Sequence, residues 1–161
     1  MNSRIALLLA GSFACSVACA QSDLPFNVEV IADLDEPWAM AFLPDDSLLV
    51  TEKKGNLLIV GQDGEKKSVR YAPDVNYGGQ GGFGDVALHP DFESNGLVYL
   101  SYVEAGVGDT RGAAVARGVL EINDRGGRLS DLEVIWRQYP KMVGYGHYGH
   151  RLLFDDDGYL F

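Results

Sequence analysis

Two of the three histidines of the chain lie close together in residues 144–151, where glycine and aromatic residues alternate. A neutral imidazole is well suited to take a proton from a hydroxyl group near neutral pH. His147 stands between Gly146 and the Tyr148-Gly149 pair, so a loosened loop could bring it to a substrate, and it is the candidate general base. His150 follows three residues later, a spacing that does not put both rings on one face of a strand or loop. A two-histidine metal site is therefore not favoured, and for a lone histidine the residues by themselves favour a structural role.

A second candidate is the loop formed by residues 77–82, in which four glycines surround Gln80. Glycine lets a backbone approach a ligand closely or take positive φ, and the glutamine amide both donates and accepts hydrogen bonds. Composition alone favours the plainer interpretation, a flexible connection between two structural units. No helix is predicted after the loop, so it is not a dinucleotide fingerprint.

Two further polar clusters are assigned structural roles. His89 comes directly before Pro90 and Asp91 at a predicted strand end, which indicates a capped turn or a packed core residue. Residues 155–158 read Asp-Asp-Asp-Gly, but Leu153 interrupts the alternating acidic pattern that a calcium loop needs. They are predicted to form a hairpin turn, and no metal ligand is assigned within the chain.

The chain has 161 residues and a formal net charge of -10. This acidity argues against a nucleic-acid partner, because binding a phosphate backbone needs clustered lysine and arginine. Glycine is frequent and aromatic residues are numerous, a mixture that favours an all-β fold with many turns.

Residues 1–20 have the pattern of a secretory signal, with Arg4 followed by a short apolar run and small residues before Gln21. The apolar run is too short to span a bilayer comfortably, so no membrane span is predicted. We therefore expect a secreted or periplasmic protein. Lipid attachment at Cys19 is the less favoured alternative. Cys15 and Cys19 both lie in the signal, so the mature chain is expected to have no disulfide.

Short apolar runs separated by turns rich in Asp, Gly and Pro recur along residues 21–161. The predicted strands are residues 24–30, 38–43, 48–52, 57–60, 84–89, 97–102, 116–122, 152–154 and 159–161. Residues 134–136 fit a strand or a helical turn, and residues 104–116 look like a glycine-rich insertion. The run at 38–43 is apolar enough for a strand buried on both faces.

The spacing of these units predicts a β-propeller. Pro44 and Pro90 begin equivalent turns 46 positions apart, which matches a blade of roughly 40 to 50 residues. About two blades and the start of a third are present, and a ring needs at least four. A complete β-sandwich is the alternative, but the repeat and the apolar final residues favour part of a longer propeller.

Several blocks resemble one protein family. They are residues 34–45, 50–55, 78–92, 98–102 and 147–152. Taken together they resemble the glucose/sorbosone dehydrogenase family of soluble pyrroloquinoline-quinone (PQQ) sugar dehydrogenases, and most closely its aldose sugar dehydrogenase branch. The likeness covers about the first third of such a protein. The block that runs from Gly-Gln-Gly at residues 79–81 to His-Pro-Asp-Phe at 89–92 is the most specific.

The resemblance implies a six-bladed propeller with PQQ and calcium on its axis. His147 aligns with the catalytic base of the family, and Gln80 aligns with a residue that contacts the sugar. An aldose would be oxidised to its lactone by hydride transfer to the quinone, and an electron acceptor would then reoxidise the cofactor. The ligands of PQQ and calcium are expected beyond Phe161, so the 161-residue chain alone is expected to be inactive.

Two positions depart from the family pattern. Gly146 stands where the glucose-specific branch has aspartate, which weakens any assignment of glucose as the substrate. His150 stands where a small residue is expected, and either narrows the pocket or points outward. Two other functions remain open at this point, a non-enzymatic propeller that binds protein or glycan and a calcium-dependent lactone hydrolase.

Overall fold

Turns built on aspartate and glycine divide the chain into two sets of four antiparallel strands. The computed structural model describes residues 25–161. The predicted signal, residues 1–20, and both cysteines lie outside the described residues. The elements are β1 (Pro37–Phe42), β2 (Leu48–Glu52), β3 (Leu57–Val60), β4 (Lys66–Arg70), β5 (Phe83–Leu88), α1 (Phe92–Asn95), β6 (Leu97–Ala105), β7 (Thr110–Asn123), β8 (Gly126–Arg137) and β9 (Met142–Val143).

The first unit is a meander of β1 to β4, each strand pairing antiparallel with the next. The turn between β1 and β2 is fixed by Asp45, whose Oδ1 accepts hydrogen bonds from the backbone N–H and the hydroxyl of Ser47 at 3.1 and 2.6 Å. Gly55 lies in the turn between β2 and β3 with φ of 115°, a conformation that a side chain would strain. Local turn chemistry therefore sets the register of this unit.

The second unit is formed in the same way by β5 to β8, with the short helix α1 in its first connection. The strands β6 and β7 pair over nine residue positions. The two units join at their outer strands, where β4 and β8 pair in parallel through Val69 with Gly127 and Arg70 with Arg128. The predicted all-β fold is confirmed, and each of its two units has four antiparallel strands.

The hydrophobic core is one cluster of buried side chains contributed by both blades. Among its completely or almost completely buried side chains are Leu49 and Leu57 from the first blade, and Phe83, Val98 and Leu100 from the second. Burying a side chain of this size stabilises the fold by about 1.5–3 kcal/mol. The strands β1 and β2 pack against β5, which begins directly after the Gln80 loop.

A further hairpin lies in residues 153–161, after the two blades. Phe154 forms an antiparallel bridge with Leu160, and Leu153 and Phe161 exchange two backbone hydrogen bonds of 2.9 and 2.8 Å. The predicted start of a third blade is therefore present. Within residues 25–161, none of the helices has the length and apolar character needed to cross a membrane.

The prediction that residues 38–43 are buried on both faces is wrong. The strand β1 is an edge strand of the sheet, and its larger side chains Trp38, Met40 and Phe42 are 47%, 61% and 65% exposed. An apolar run shows that a segment tends to be covered, but it does not show which neighbour covers it.

Two other assignments change with the structure, and one open alternative is decided. Residues 24–30 form no strand among the described residues, and Val28 and Val30 are exposed because no neighbouring strand pairs with them. Residues 104–116 are not an insertion, because they belong almost entirely to the β6–β7 hairpin, whose turn is closed by a 2.7 Å bond from Gly106 N–H to the Thr110 carbonyl. Residues 134–136 are strand rather than helix.

Candidate active site

The two loops singled out by their glycines meet in the folded chain. The backbone N–H of His147 donates to Oε1 of Gln80 at 2.6 Å, although the residues are 67 positions apart. The backbone N–H of Gln80 donates in turn to the carbonyl of Tyr145 at 2.7 Å. Both side chains are exposed. The structure thus holds the backbone of the predicted base against the predicted sugar-binding amide, with both side chains at an open surface.

Close packing between the loops explains two of the glycines. A Cβ on Gly79 would lie 2.6 Å from the Tyr145 carbonyl oxygen, and one on Gly78 would lie 2.8 Å from the Tyr145 ring. Gly79 also has φ of 54°, which disfavours side chains. These glycines permit close contact with the His147 loop. The segment is therefore a packed loop and not the flexible connection that its composition favoured.

Lys53, the residue directly after β2, holds the Gln80 loop from the side of the first blade. Its ammonium group donates to the Gly79 carbonyl at 2.5 Å, and its own carbonyl accepts the N–H of Phe83 at 2.9 Å. A Cβ on Gly82 would lie 2.2 Å from this carbonyl oxygen, so only glycine fits there. The loop is anchored to both blades.

Arg111, near the start of β7, anchors the His147 loop. Its guanidinium is buried, donates from Nη1 to the Gly144 carbonyl at 2.9 Å, and lies over the ring of Tyr145 at 3.8 Å. Asp109 accepts a hydrogen bond from Nη2 and raises the pKa of Arg111. The arginine is therefore charged at any physiological pH.

The chain after His147 is fixed by a buried polar network. The N–H of Asp85 donates to the hydroxyl of Ser101 at 2.8 Å, and that hydroxyl donates to the carbonyl of His150 at 2.7 Å. One carboxylate oxygen of Asp85 accepts the N–H of Leu152 at 2.7 Å. Because these groups are buried, each bond is hard to replace by water.

His150 points inward, so the alternative in which it points outward is wrong. Its ring packs against the backbone of Gly84, where a Cβ would come within 2.3 Å of Nδ1. The rings of Trp38 and Tyr148 lie 6.0 and 5.9 Å away. Burial lowers the pKa of His150, and the nearby carboxylate of Asp85 offsets part of this effect. The imidazole is therefore predominantly neutral at physiological pH.

A groove of about 700 Å³ opens beside this network. Its lining includes Trp38, Met40, Tyr148, His150 and Arg151. The guanidinium of Arg151 is 86% exposed and lies 3.7 Å from the carboxylate of Asp85. The groove combines aromatic faces with one accessible cation, and the residue next to His147 forms part of its wall.

The turn at His89 and the turn of residues 155–158 have the structural roles predicted for them. Nδ1 of His89 accepts the N–H of Asp91 at 3.0 Å, and its ring stacks on Tyr99. Asp155 caps the last hairpin by accepting the N–H of Tyr159 at 2.8 Å. Within residues 25–161, no three His, Cys, Asp or Glu side chains come together as a metal site.

Sequence reasoning missed Arg111 and Lys53 as parts of this site. Arg111 lies in the segment 104–116 that was interpreted as an insertion. The available signal was its place directly before a run of small residues that turn out to be buried in β7. Lys53 was noted in the sequence only because it belongs to residues 50–55, one of the blocks that resemble the family.

Comparison with known proteins gives the family. The family model described as Glucose / Sorbosone dehydrogenase matches residues 34–161. The "Aldose sugar dehydrogenase YliI" of Escherichia coli (strain K12) is 43% identical over 138 residues, which cover 84% of this chain and 37% of that protein.

Two solved structures are similar in both fold and sequence. The soluble aldose sugar dehydrogenase from Escherichia coli in its apo-form superposes with a TM-score of 0.77 at 40% identity, over 83% of this chain and 39% of that one. The PQQ-bound aldose sugar dehydrogenase from Streptomyces coelicolor gives a TM-score of 0.70 at 28% identity, with coverage of 83% and 39%. The chain thus spans less than two fifths of these relatives, and it belongs to the glucose/sorbosone dehydrogenase family.

Proposed function

We propose that the full-length protein oxidises aldose sugars to their lactones with PQQ as cofactor. The single observation that carries the proposal is the hydrogen bond between Gln80 and the backbone of His147, which holds a candidate base and a candidate sugar-binding amide together at an exposed surface. The neighbouring residue Tyr148 lines the groove described above. The family membership and the names of the relatives, an aldose sugar dehydrogenase and a PQQ-bound form, support it.

His147 acts as the general base in this proposal. Its ring is exposed while its backbone is held by Gln80, so the imidazole is free to reach a substrate. It takes the proton of the anomeric hydroxyl as the C1–H bond breaks, a role that needs a neutral ring nitrogen. The oxygen of C1 then becomes the carbonyl oxygen of the lactone.

Gln80 positions the sugar. Its Oε1 is used by the N–H of His147, and within residues 25–161 its Nε2 donates to no protein atom. The amide therefore has two N–H groups left for a sugar hydroxyl. Because the same side chain holds the base, the distance from the bound hydroxyl to His147 is set by one amide group.

The described residues fit one edge of the cofactor. PQQ is a flat, anionic quinone, and the lining of the groove includes the exposed cation of Arg151, 3.7 Å from the carboxylate of Asp85, and the aromatic rings of Trp38 and Tyr148. The side chains of Arg151, Trp38 and Tyr148 would hold it. When bound, PQQ supplies the two-electron acceptor that the oxidation of the sugar requires. Calcium stays a prediction from the family resemblance.

The experiment uses the full-length protein prepared without cofactor. PQQ and calcium are added, and reduction of a redox dye is followed with a panel of aldoses while lactone is measured in the product. We expect dye reduction that depends on PQQ and gives one lactone per two electrons. Absence of reduction with every aldose overturns the proposal. Calcium-dependent lactone hydrolysis would then favour the hydrolase, and glycan binding alone would favour the binding protein.

We also propose that the protein acts outside the cytoplasm, in the periplasm or as a secreted protein. The support is the signal pattern of residues 1–20. Mass spectrometry of the protein from the extracytoplasmic fraction should give Gln21 as the first residue. A lipid-modified Cys19 as the first residue would favour the anchored alternative, and an intact Met1 in the cytoplasmic fraction would contradict export.

A further inference from the structure

One arginine connects the two loops of the candidate site. Arg111 is only 4% exposed, and its guanidinium lies between them. Its Nε donates to Oδ1 of Asn76 at 3.0 Å, and its Nη1 donates to the carbonyl of Gly144 at 2.9 Å. The face of the guanidinium covers the ring of Tyr145 at 3.8 Å. A single planar group thus contacts both chain segments.

Each of these contacts lies where a loop begins. Asn76 precedes the glycines around Gln80 and is itself fixed by a 2.7 Å bond from its N–H to the Val103 carbonyl. Gly144 and Tyr145 precede His147 by three and two residues, and the Tyr145 carbonyl accepts the N–H of Gln80. A displacement of Arg111 would therefore be transmitted to both side chains of the proposed chemistry.

We infer that Arg111 is a positioning residue that sets the register between Gln80 and His147 in the oxidation of aldoses. The inference rests on the proposed function. Arg111 reaches neither side chain directly, so its effect runs through Asn76 on one side and through Gly144 and Tyr145 on the other. Displacing a reacting group by about 1 Å can lower a rate roughly a hundredfold.

Only arginine fits this position. The guanidinium has donors in a rigid plane, so it can serve two acceptors in different directions while its face stacks on an aromatic ring. Lysine would keep the charge but offers neither the plane nor the fork. Asp109 accepts from the remaining nitrogen and holds the plane in orientation.

The test compares Arg111→Lys and Arg111→Met with Arg117→Met in the full-length protein. Arg117 lies on the same strand, pairs with the exposed Glu133 at 3.0 Å, and contacts neither loop, so it is the matched control. We expect Arg111→Lys to lower kcat/KM by about a hundredfold, with most of the loss in kcat and a smaller rise in KM. The Arg117 variant should keep wild-type kinetics. Rates are normalised to the folded fraction, so a loss of stability alone does not change them.

Hydrogen exchange of backbone amides gives a readout that does not depend on activity. In Arg111→Lys we expect faster exchange in residues 76–82 and 144–148 and unchanged exchange in the rest of β7. Faster exchange throughout β7 would show that Arg111 has a merely structural role, and this would overturn the inference. A wild-type kcat together with wild-type exchange in both loops would also overturn it. Should Arg111→Met fail to fold, Asn76→Ala removes one arm of the same bridge and must produce the same exchange pattern.

The two proposals fail in different ways. If the wild-type protein oxidises no aldose, the proposed function falls, while the exchange pattern still shows whether Arg111 holds the loops together. If the wild type is active and Arg111→Lys matches it in kcat and in loop exchange, the positioning role falls and the proposed function stands.

Discussion

Replacing Gly79 by alanine tests the packing between the two loops. The residue has φ of 54°, and a Cβ there would lie 2.6 Å from both Cβ and the carbonyl oxygen of Tyr145. Holding alanine in the left-handed region costs about 1–2 kcal/mol. Overpacking against backbone that cannot move freely adds about 1–3 kcal/mol. We therefore expect a loss of roughly 2–5 kcal/mol, the sum of the two effects.

The assay is urea denaturation of the full-length protein, with dye reduction measured on the same samples. Gly158→Ala is the control for backbone strain, because its φ is 83° and nothing lies within 4 Å of a Cβ there. Gly149→Ala is the neutral control, since it has neither positive φ nor a close neighbour. Gly79→Ala should be clearly more destabilising than Gly158→Ala and should also lower kcat. Equal losses of stability with wild-type kcat would refute the proposed contact between the loops.

Two further predictions concern the groove and the base. Burial lowers the pKa of His150 below its ordinary value of 6.5, so the unfolded chain takes up a proton first as the pH falls. The free energy of unfolding should decrease below about pH 6.5 by at most about 1.4 kcal/mol per pH unit. His150→Gln should make this dependence on pH weaker, as measured by the midpoint of urea denaturation at a series of pH values. An unchanged dependence would contradict the burial of the His150 ring. Gly146→Asp should fold normally, because a Cβ there would lie 3.7 Å from Oε1 of Gln80, an ordinary contact distance. Since the glucose-specific branch has aspartate at this position, the variant should raise the ratio of kcat/KM for glucose to kcat/KM for other aldoses. An unchanged ratio would show that position 146 does not determine selectivity.

Local patterns were enough to predict much of the fold. The strands β2 and β3 lie where the apolar runs at 48–52 and 57–60 predicted them, because turn residues bound both runs sharply. The long strand β7 was missed in part because its first half is built from small residues and glycine. Those residues are selected by tight packing in the core, which depends on neighbours distant in sequence.

The candidate site shows the same division. Glycine and histidine marked the two loops, but the bond that joins Gln80 to His147 spans 67 positions and depends on how the blades pack. The inward turn of His150 depends on the missing side chain of Gly84, a relation between two distant positions. Arg111 carried only the weak local signal of the small residues that follow it, since two of its partners, Asn76 and Gly144, come from distant segments.

The most direct test of the account is the kcat of His147→Asn in the full-length protein loaded with PQQ and calcium. Asparagine tolerates the φ of 63° at this position but provides no base. We predict a kcat lower by about 10²–10⁴-fold at an unchanged unfolding midpoint, because the side chain is exposed. Asp156→Ala, in the exposed final turn, should behave like the wild type. Wild-type kcat in His147→Asn would contradict the account and remove His147 from the role of base.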